Sequence, residues 1–425
     1  MQLAERHIIK STEHRFALID GLAFQSKNLY NAANYIIRQN FVYGWGYLNY
    51  NKMDQLMKSH QAYKALPAKV SQQILMIVDK NWKSFFEAIK TYKNEPTKFS
   101  GCPKLPKYKD KVKGRNVLVY TIQAISSKQL KKGIIKLSGT NILIKTKVKP
   151  EQLCQVRLVP KCDSYVIEVI YNESESSVEE SQKESVASID LGLNNLVALT
   201  SNQPGFVPLL INGRPLKSIN QFYNKRKAHL QSQLKGSRQT SPRIQRLTRC
   251  RNQKIENYLH QTSRFIINLL RAQKIGILVI GKNVQWKNEI SLGKPTNQNF
   301  LTVPHARLIE MWQYKAALVG IKVMVQEESY TSKSSFLSLD PIPVYGNDGA
   351  EEVIFTGKRI KRGLYKTSSG RLINADVNGS YNIMRKAIPN ALRDGIGSCV
   401  VQPRRVNPLE VKKKREGFNA SQVMQ

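Results

Sequence analysis

The sequence lacks the features typical of disulfide-rich, zinc-ribbon and membrane-spanning proteins. It has five cysteines but no close CxxC pair, so we predict neither a disulfide framework nor a zinc site. No apolar run approaches the ~20 residues that cross a bilayer, and MQLAERHIIK at the start has no apolar signal core. We therefore expect a cytoplasmic protein.

Acidic residues are scarce. The 425 residues include 67 Lys and Arg but 30 Asp and Glu, which gives a formal net charge of +37. A charge this one-sided is best neutralised by a polyanion, and nucleic acid fits better than a membrane surface. With 41% hydrophobic residues the chain can bury sizeable cores, and its length predicts two to four compact units.

The hydrophobic period changes along the first half of the chain. Residues 1–20 are predicted to be extended, and 21–94 to form a helical lobe, because apolar residues recur there at a period of 3.6. Residues 95–172 contain short period-two segments, such as NILIKTKV and YVIEVIY, that are typical of a small barrel. We predict a β-barrel from 1–20 plus 95–172, and a linker in the acidic, Ser-rich stretch 173–185.

The second half predicts a mixed α/β domain over residues 186–400. ASIDLGLNNLVALT indicates two strands, 216–274 two long basic helices, GILVIG a buried strand, and IKVMVQEE a further strand before a last helix in INADVNGSYNIMRKAI. A Gly- and Lys-rich insertion runs from about 329 to 372. The basic end, 401–425, is predicted to be a disordered tail.

Four acids lie at the ends of these predicted elements. Asp190 ends the first strand, Glu327 and Glu328 end the last, and Asp376 starts the final helix. Each has an ordinary explanation taken alone: a turn residue, a surface pair, an N-cap. Together they match the carboxylates with which nucleases hold two divalent ions for phosphodiester cleavage. Oxygen ligands favour Mg²⁺ or Mn²⁺.

The motifs around these acids resemble one known family. IDLGLNNLVALT and NADVNGSYNIMRKA resemble the first and third motifs of the RuvC-like nuclease domain of TnpB, the RNA-guided endonucleases of insertion sequences related to type V CRISPR effectors. PHARLIEMWQYKAALVGIKV and EESYTSK resemble a TnpB branch with a relocated second glutamate. The resemblance covers nearly the whole chain apart from the basic end.

This resemblance implies a multidomain α+β fold. A wedge-like β-barrel with an inserted recognition lobe would precede a ribonuclease-H-like domain in which Asp190 is the first metal ligand and Asp376 the third. The partners would be a guide RNA from the element's end and target double-stranded DNA. We expect a monomer with RNA, associated with the nucleoid.

One departure from the family concerns the second glutamate. The family usually has it directly after the strand matching ILVI, where this chain has Gly281. In a ribonuclease-H-like sheet the strand ending at Glu327 and Glu328 would lie about 4.8 Å away. Either acid could reach across, although alternation directs only one inward; Glu289 is a weaker candidate.

Three functions follow from these alternatives. With a relocated glutamate the enzyme is active, and Gly281→Ala is expected to leave cleavage activity nearly unchanged. Without one, the chain is a nuclease-dead, RNA-guided DNA-binding protein. A transposase acting without RNA is the third possibility, and it would not co-purify with RNA.

A second departure concerns zinc. Many relatives carry two CxxC pairs after the TSK-like stretch, but here no cysteine occurs between Cys250 and Cys399. A tetrahedral zinc site cannot form without these thiolates. We therefore expect the insertion to be held by packing alone, with TGKRIKRGLYKTSSG as its basic, nucleic-acid-facing part.

Overall fold

The protein folds as two compact units, Met1–Glu173 and Ser174–Gln425, within the range that chain length predicted. The structure is a computed structural model that describes residues 1–177, 184–283, 302–344, 353–392 and 400–413. The boundary between the units falls inside the predicted linker, of which 178–183 lie outside the described residues. None of the described helices combines the length and apolarity that a bilayer crossing requires.

The first unit contains two small antiparallel sheets and a set of helices. Its elements are β1 (Gln2–Lys10), α1 (His14–Val42), α2 (Tyr50–Met57), α3 (Gln61–Lys64), α4 (Ala68–Asn94), β2 (Leu118–Thr121), α5 (Ser127–Leu130), β3 (Ile134–Lys136), β4 (Leu143–Lys145), β5 (Leu153–Lys161) and β6 (Ser164–Asn172). One sheet has the order β1-β6-β5-β2, and β3 pairs with β4. Closure of these strands into a barrel stays a prediction.

The helices of the first unit pack around the apolar stripe of α4. Val70, Ile74, Val78 and Trp82 are fully buried, as their 3.6-residue spacing predicted. The Trp82 ring nitrogen donates to Asn34 Oδ1 on α1 at 2.8 Å, so the buried indole keeps a hydrogen bond.

The prediction that residues 1–20 are all extended is wrong at its end. β1 stops at Lys10 and α1 starts at His14. The Glu13 carboxylate accepts the Lys10 backbone N–H at 2.8 Å and so closes the turn between them, and the following residues, HRFALID, contain neither Gly nor Pro to delay the helix.

The second unit is built on a six-stranded mixed sheet. Its elements are β7 (Val186–Leu191), β8 (Asn195–Ser201), β9 (Leu209–Asn212), α6 (Arg214–Ser232), α7 (Pro242–Ala272), β10 (Ile277–Gly281), α8 (His305–Ala317), β11 (Lys322–Gln326), β12 (Lys358–Lys361), β13 (Leu364–Lys366), β14 (Leu372–Asn374), α9 (Ala375–Ala387), β15 (Arg404–Val406) and α10 (Pro408–Lys413). The sheet order is β11-β10-β7-β8-β9-β15, and β12-β13-β14 form a separate small sheet.

The two faces of the six-stranded sheet are covered by different helices. Odd-numbered residues of β7, such as Ile189, share a core with α7 and α8. Even-numbered ones face α9: Val186 packs with Ile383, and the Ser188 hydroxyl bonds the Ser380 carbonyl at 2.7 Å. This alternation places Asp190 on the α9 side of the sheet.

The prediction that the whole of 401–425 is a disordered tail is wrong for its first part. Arg404–Val406 pairs in parallel with Leu209–Ile211 as an edge strand, and Pro408–Lys413 forms a short helix. Basic residues can occupy a short edge strand because its outer side stays in water. Residues 414–425 lie outside the described part of the chain.

The insertion at 329–372 is not held by packing alone, which corrects that expectation. Asp340 is buried, and its carboxylate accepts the Ser335 N–H at 2.9 Å and both the N–H and the hydroxyl of Thr356, at 3.0 and 2.8 Å. A buried carboxylate that gathers donors from separate segments cross-links them. Asp340 thus ties together two stretches of the insertion.

Candidate functional site

Asp190 lies near the end of β7, directly against α9. A Cβ added to Gly379 of α9 would stand 2.9 Å from Asp190 Oδ2, closer than side chains normally pack. Gly379 therefore lets the helix approach the carboxylate. This glycine lies within the NADVNGSYNIMRKA motif, and its role was not predicted from the sequence.

Asp376 is in the first turn of α9 and is not the helix cap. The cap is Asn374, whose side chain accepts the N–H groups of Asp376 and Val377. The Asp376 carboxylate instead accepts a hydrogen bond from the Asn195 amide at 2.7 Å and lies 3.6 Å from the Arg359 guanidinium. The N-cap explanation for Asp376 is therefore wrong, and its neighbours Asn195 and Arg359 were not predicted from the sequence.

Glu327 and Glu328 point in different directions. The Glu327 carboxylate pairs with the buried Lys386 ammonium at 2.5 Å and accepts the Ser329 N–H at 2.6 Å. Glu328 Oε2 is buried and has no hydrogen-bond partner among the described residues. One acid is thus neutralised by a lysine, while the other has an unsatisfied oxygen in the interior.

The unsatisfied oxygen of Glu328 fills the space beside Gly281. β10 and β11 run in parallel, with Gly281 opposite Gln326, as the predicted adjacency of these strands required. A Cβ built on Gly281 would stand 2.6 Å from Glu328 Oε2 and 2.5 Å from Ile383 Cδ1. The carboxylate from the neighbouring strand therefore reaches the position that a side chain at 281 would occupy.

Electrostatic interactions link all four predicted acids. Burial, followed by the negative charges of Glu328 and Asp376, raises the pKa of Asp190 well above its usual value. Burial and the Glu327 charge raise the pKa of Glu328 to about 7. Desolvation opposes ionisation of Glu327, but hydrogen bonds from Lys386 and Ser329 outweigh it and hold its pKa below the ordinary range.

Within the described residues, no three carboxylate, imidazole or thiol groups already stand in a metal-coordinating arrangement. What the structure brings near Asp190 are the carboxylates of Glu328 and Asp376, whose negative charges oppose ionisation of Asp190. Glu327 is turned away from these carboxylates, and Glu289 lies outside the described residues.

A basic groove of about 670 Å³ opens beside Asp376. Its lining includes four arginines and five asparagines: Arg214, Arg359, Arg362, Arg405, Asn194, Asn195, Asn212, Asn374 and Asn407. One planar guanidinium group can donate two parallel hydrogen bonds to the oxygens of a phosphate. The groove has the chemistry of a phosphodiester-binding surface that leads to a carboxylate.

The structure predicts a stability cost for Gly281→Ala, while its effect on cleavage stays a prediction. Its methyl group would overlap Ile383 and the Glu328 carboxylate, and overpacking a core costs about 1–3 kcal/mol. We expect the variant to be less stable by that amount in urea unfolding followed at equilibrium.

A matched control for this substitution is Gly21→Ala in α1, where nothing lies within 4 Å of the added Cβ. It should stabilise the helix by about 0.5–1 kcal/mol. Equal stabilisation by both substitutions would contradict the close contact at Gly281.

Comparisons with known proteins find similar families over two parts of the chain. Residues 167–287 match the OrfB_IS605 family model, described as a probable transposase, and residues 305–383 match the Cas12f1-like TNB domain. A TnpB-like protein, ORF457 of Acidianus two-tailed virus, is 23% identical over 239 residues, which cover 53% of this chain and 47% of that protein. These matches support a TnpB-family protein. The match spans about half the length of the viral relative.

A solved structure extends the likeness of this chain beyond the two matched regions. The Cas12f1 protein from a cryo-EM complex with sgRNA and target DNA superposes with a TM-score of 0.51 at 14% identity, covering 87% of this chain and 82% of that one. At this identity the likeness concerns the fold alone: a mixed α/β, multidomain architecture.

Proposed function

We propose that this TnpB-family protein is an RNA-guided, divalent-metal-dependent DNA endonuclease of a transposable element. The observation that carries the proposal is the Glu328 carboxylate beside Gly281, because it supplies the acid that the family's usual position lacks. Asp190, Glu328 and Asp376 would be the metal ligands, and Glu327 would not. The relocated-glutamate alternative is thereby favoured over the nuclease-dead one.

The residues present fit a hard divalent cation. Glu328 Oε2 is buried without a donor, and the like charges of Glu328 and Asp376 oppose ionisation of Asp190. A bound cation would compensate the buried Glu328 oxygen and would offset the charge repulsion at Asp190. An all-oxygen donor set suits Mg²⁺ or Mn²⁺, and zinc is not expected at the insertion, which has no thiolates. When bound, such ions activate water and stabilise the leaving oxygen.

The remaining groups would bind and orient the DNA strand. Arg359, Arg362 and Arg405 line the groove beside Asp376 and would hold backbone phosphates whatever their base sequence. Asn195, bonded to the Asp376 carboxylate at 2.7 Å, would keep that carboxylate oriented. Gly379 would let Asp190 and α9 lie close together.

The partners and domains follow from the same proposal. The superposed Cas12f1 structure is a complex with sgRNA and target DNA, and the +37 net charge suits two polyanions. Residues 186–400 would be the ribonuclease-H-like nuclease domain, 1–20 plus 95–172 the wedge-like barrel and 21–94 the recognition lobe. We propose that the protein acts as a monomer bound to its guide RNA, and that its DNA target lies in the cytoplasm.

The test begins with the RNA that co-purifies with the chain. Its sequence defines a guide, and matched targets flanked by a randomised motif are then offered with Mg²⁺ or with EDTA. We expect cleavage only with guide, matched target and Mg²⁺ together, and no product from a mismatched target. Guide-dependent binding without cleavage would support the nuclease-dead alternative, and absence of RNA would support the RNA-independent transposase.

A further inference from the structure

Lys386, in the last turn of α9, is buried although it carries a charge. Its side chain is 7% exposed. The ammonium donates to Glu327 Oε2 at 2.5 Å, to the Ser329 carbonyl at 3.0 Å and to the Pro343 carbonyl at 3.2 Å. An ammonium has three donors, and here each has an acceptor. Because a buried charge is costly unless it is satisfied, this contact is a firm anchor.

The backbone on both sides of Glu328 is also fixed. The Glu328 N–H donates to Asn283 Oδ1 at 3.0 Å, and the Glu328 carbonyl accepts the Thr331 hydroxyl at 2.8 Å. Tyr330 has a φ of +64°, a left-handed conformation that turns the chain sharply. The Glu328 carboxylate has no donor of its own at Oε2, so its direction is set by the backbone and by neighbouring contacts.

We propose that Lys386 is a positioning residue that selects Glu328, rather than Glu327, to face Asp190. Adjacent side chains of an extended segment point to opposite sides. By holding Glu327 on one side, Lys386 leaves Glu328 on the side of Gly281 and Asp190. Glu327 would then anchor the turn and would not be an alternative metal ligand.

This role connects the candidate ligands through one helix. α9 carries Asp376 in its first turn, meets Asp190 at Gly379, and holds the Glu327–Ser329 turn through Lys386 in its last turn. A shift of the turn relative to α9 would therefore move Glu328 relative to both aspartates. The inference rests on the proposed function, since it assumes that these carboxylates bind a metal.

The test measures Mn²⁺ binding to the purified full chain, by isothermal titration or by the EPR signal of free Mn²⁺. Partners that orient metal ligands typically contribute 10–100-fold to metal affinity. We expect Lys386→Met to weaken Mn²⁺ binding by about that factor, Lys386→Arg to recover part of the loss, and Glu327→Gln to weaken binding in the same direction but less. The variant Glu327→Gln/Lys386→Met should bind no more weakly than Lys386→Met alone.

The outcomes separate this inference from the proposed function. Unchanged Mn²⁺ affinity in folded Lys386→Met, with only a lower melting temperature, would mean that Lys386 is merely structural. If Lys386→Met does not fold, Glu327→Gln decides by the same measurement, because it breaks the ion pair and leaves the lysine its two carbonyl acceptors. Failure of the wild-type chain to bind Mn²⁺ at a site that Asp190→Asn removes would instead overturn the proposed function.

Discussion

Asp190→Asn is expected to abolish target cleavage while guide-dependent DNA binding persists. The substitution keeps the size of the side chain that packs at Gly379 but removes a carboxylate oxygen from the candidate metal ligands. We expect a loss on the order of 10³-fold or more, equivalent to about 4 kcal/mol of transition-state stabilisation. Asp376→Asn should have an effect of the same order. The measurement is single-turnover cleavage of a matched target at saturating Mg²⁺.

The loss of cleavage by Asp190→Asn should not come from unfolding. Because burial and neighbouring negative charges raise the pKa of Asp190, the folded chain binds a proton there more tightly than the unfolded chain. Ionisation of Asp190 at neutral pH therefore lowers stability, and the neutral asparagine should raise the melting temperature of the metal-free protein. An unfolded variant would make the cleavage result uninformative, so both measurements belong together.

A matched control is Asp163→Asn, in the turn between β5 and β6 of the first unit. It removes the same charge from the chain and should leave cleavage within about twofold of wild type. Full cleavage by Asp190→Asn and by Asp376→Asn would contradict the assignment of both ligands, whatever the RNA dependence.

The strands of the second unit were predictable wherever they are buried on both faces. GILVIG is a continuous apolar run between breakers, and β10 (Ile277–Gly281) is found there, because a strand covered by helices on both sides needs apolar residues at every position. By contrast, β15 (Arg404–Val406) has the sequence RRV, which contains a single apolar residue. A three-residue edge strand of basic residues has neither period nor apolar run, so only its tertiary partner, β9, identifies it.

Sequence order and the family resemblance together predicted Asp190 and Asp376 in one site but did not distinguish Glu327 from Glu328. The side of the sheet that each acid faces depends on the register of β11 against β10, where Gln326 lies opposite Gly281, and the proposed Lys386 contact would hold Glu327 and Glu328 in that arrangement. Once that pairing is known, the side-chain alternation of strands puts Glu328 on the same face as Gly281. Register is a long-range property, set by packing across the sheet, and nothing local in the EE dipeptide encodes it.

The crowding around Gly281 was hidden from the sequence for a similar reason. Nothing local to GILVIG shows what fills the space beside this glycine. The structure fills that space with Ile383 from α9, more than a hundred residues later in the chain, and with the Glu328 carboxylate. If Glu328 takes the place of the acid that the family usually has at this position, it requires a small residue at 281, and the two differences would form one change.

Glu328→Gln and Glu327→Gln are expected to separate the pair of acids by their effects on cleavage. Glu328→Gln should reduce single-turnover cleavage by on the order of 100-fold or more, equivalent to about 3 kcal/mol, because it removes the acid beside Gly281. Glu327→Gln should reduce it by less than about tenfold, because that carboxylate contacts Lys386 and acts through it. Equal cleavage by both variants would contradict the assignment of Glu328.

The same pair should differ in the pH dependence of stability without metal. The pKa of Glu328 is raised to about 7, so the folded state keeps this proton while the unfolded chain loses it from about pH 4.5 upward. The folded state therefore loses stability as the pH rises from about 4.5 to about 7. Glu328→Gln should raise the melting temperature at pH 8 but hardly at pH 4. Glu327→Gln should do the opposite at pH 8, since the lowered pKa of Glu327 marks a carboxylate that stabilises the fold when ionised. Melting curves in EDTA at both pH values measure the difference, and a Glu328→Gln variant less stable than wild type at pH 8 would contradict a buried, unsatisfied carboxylate.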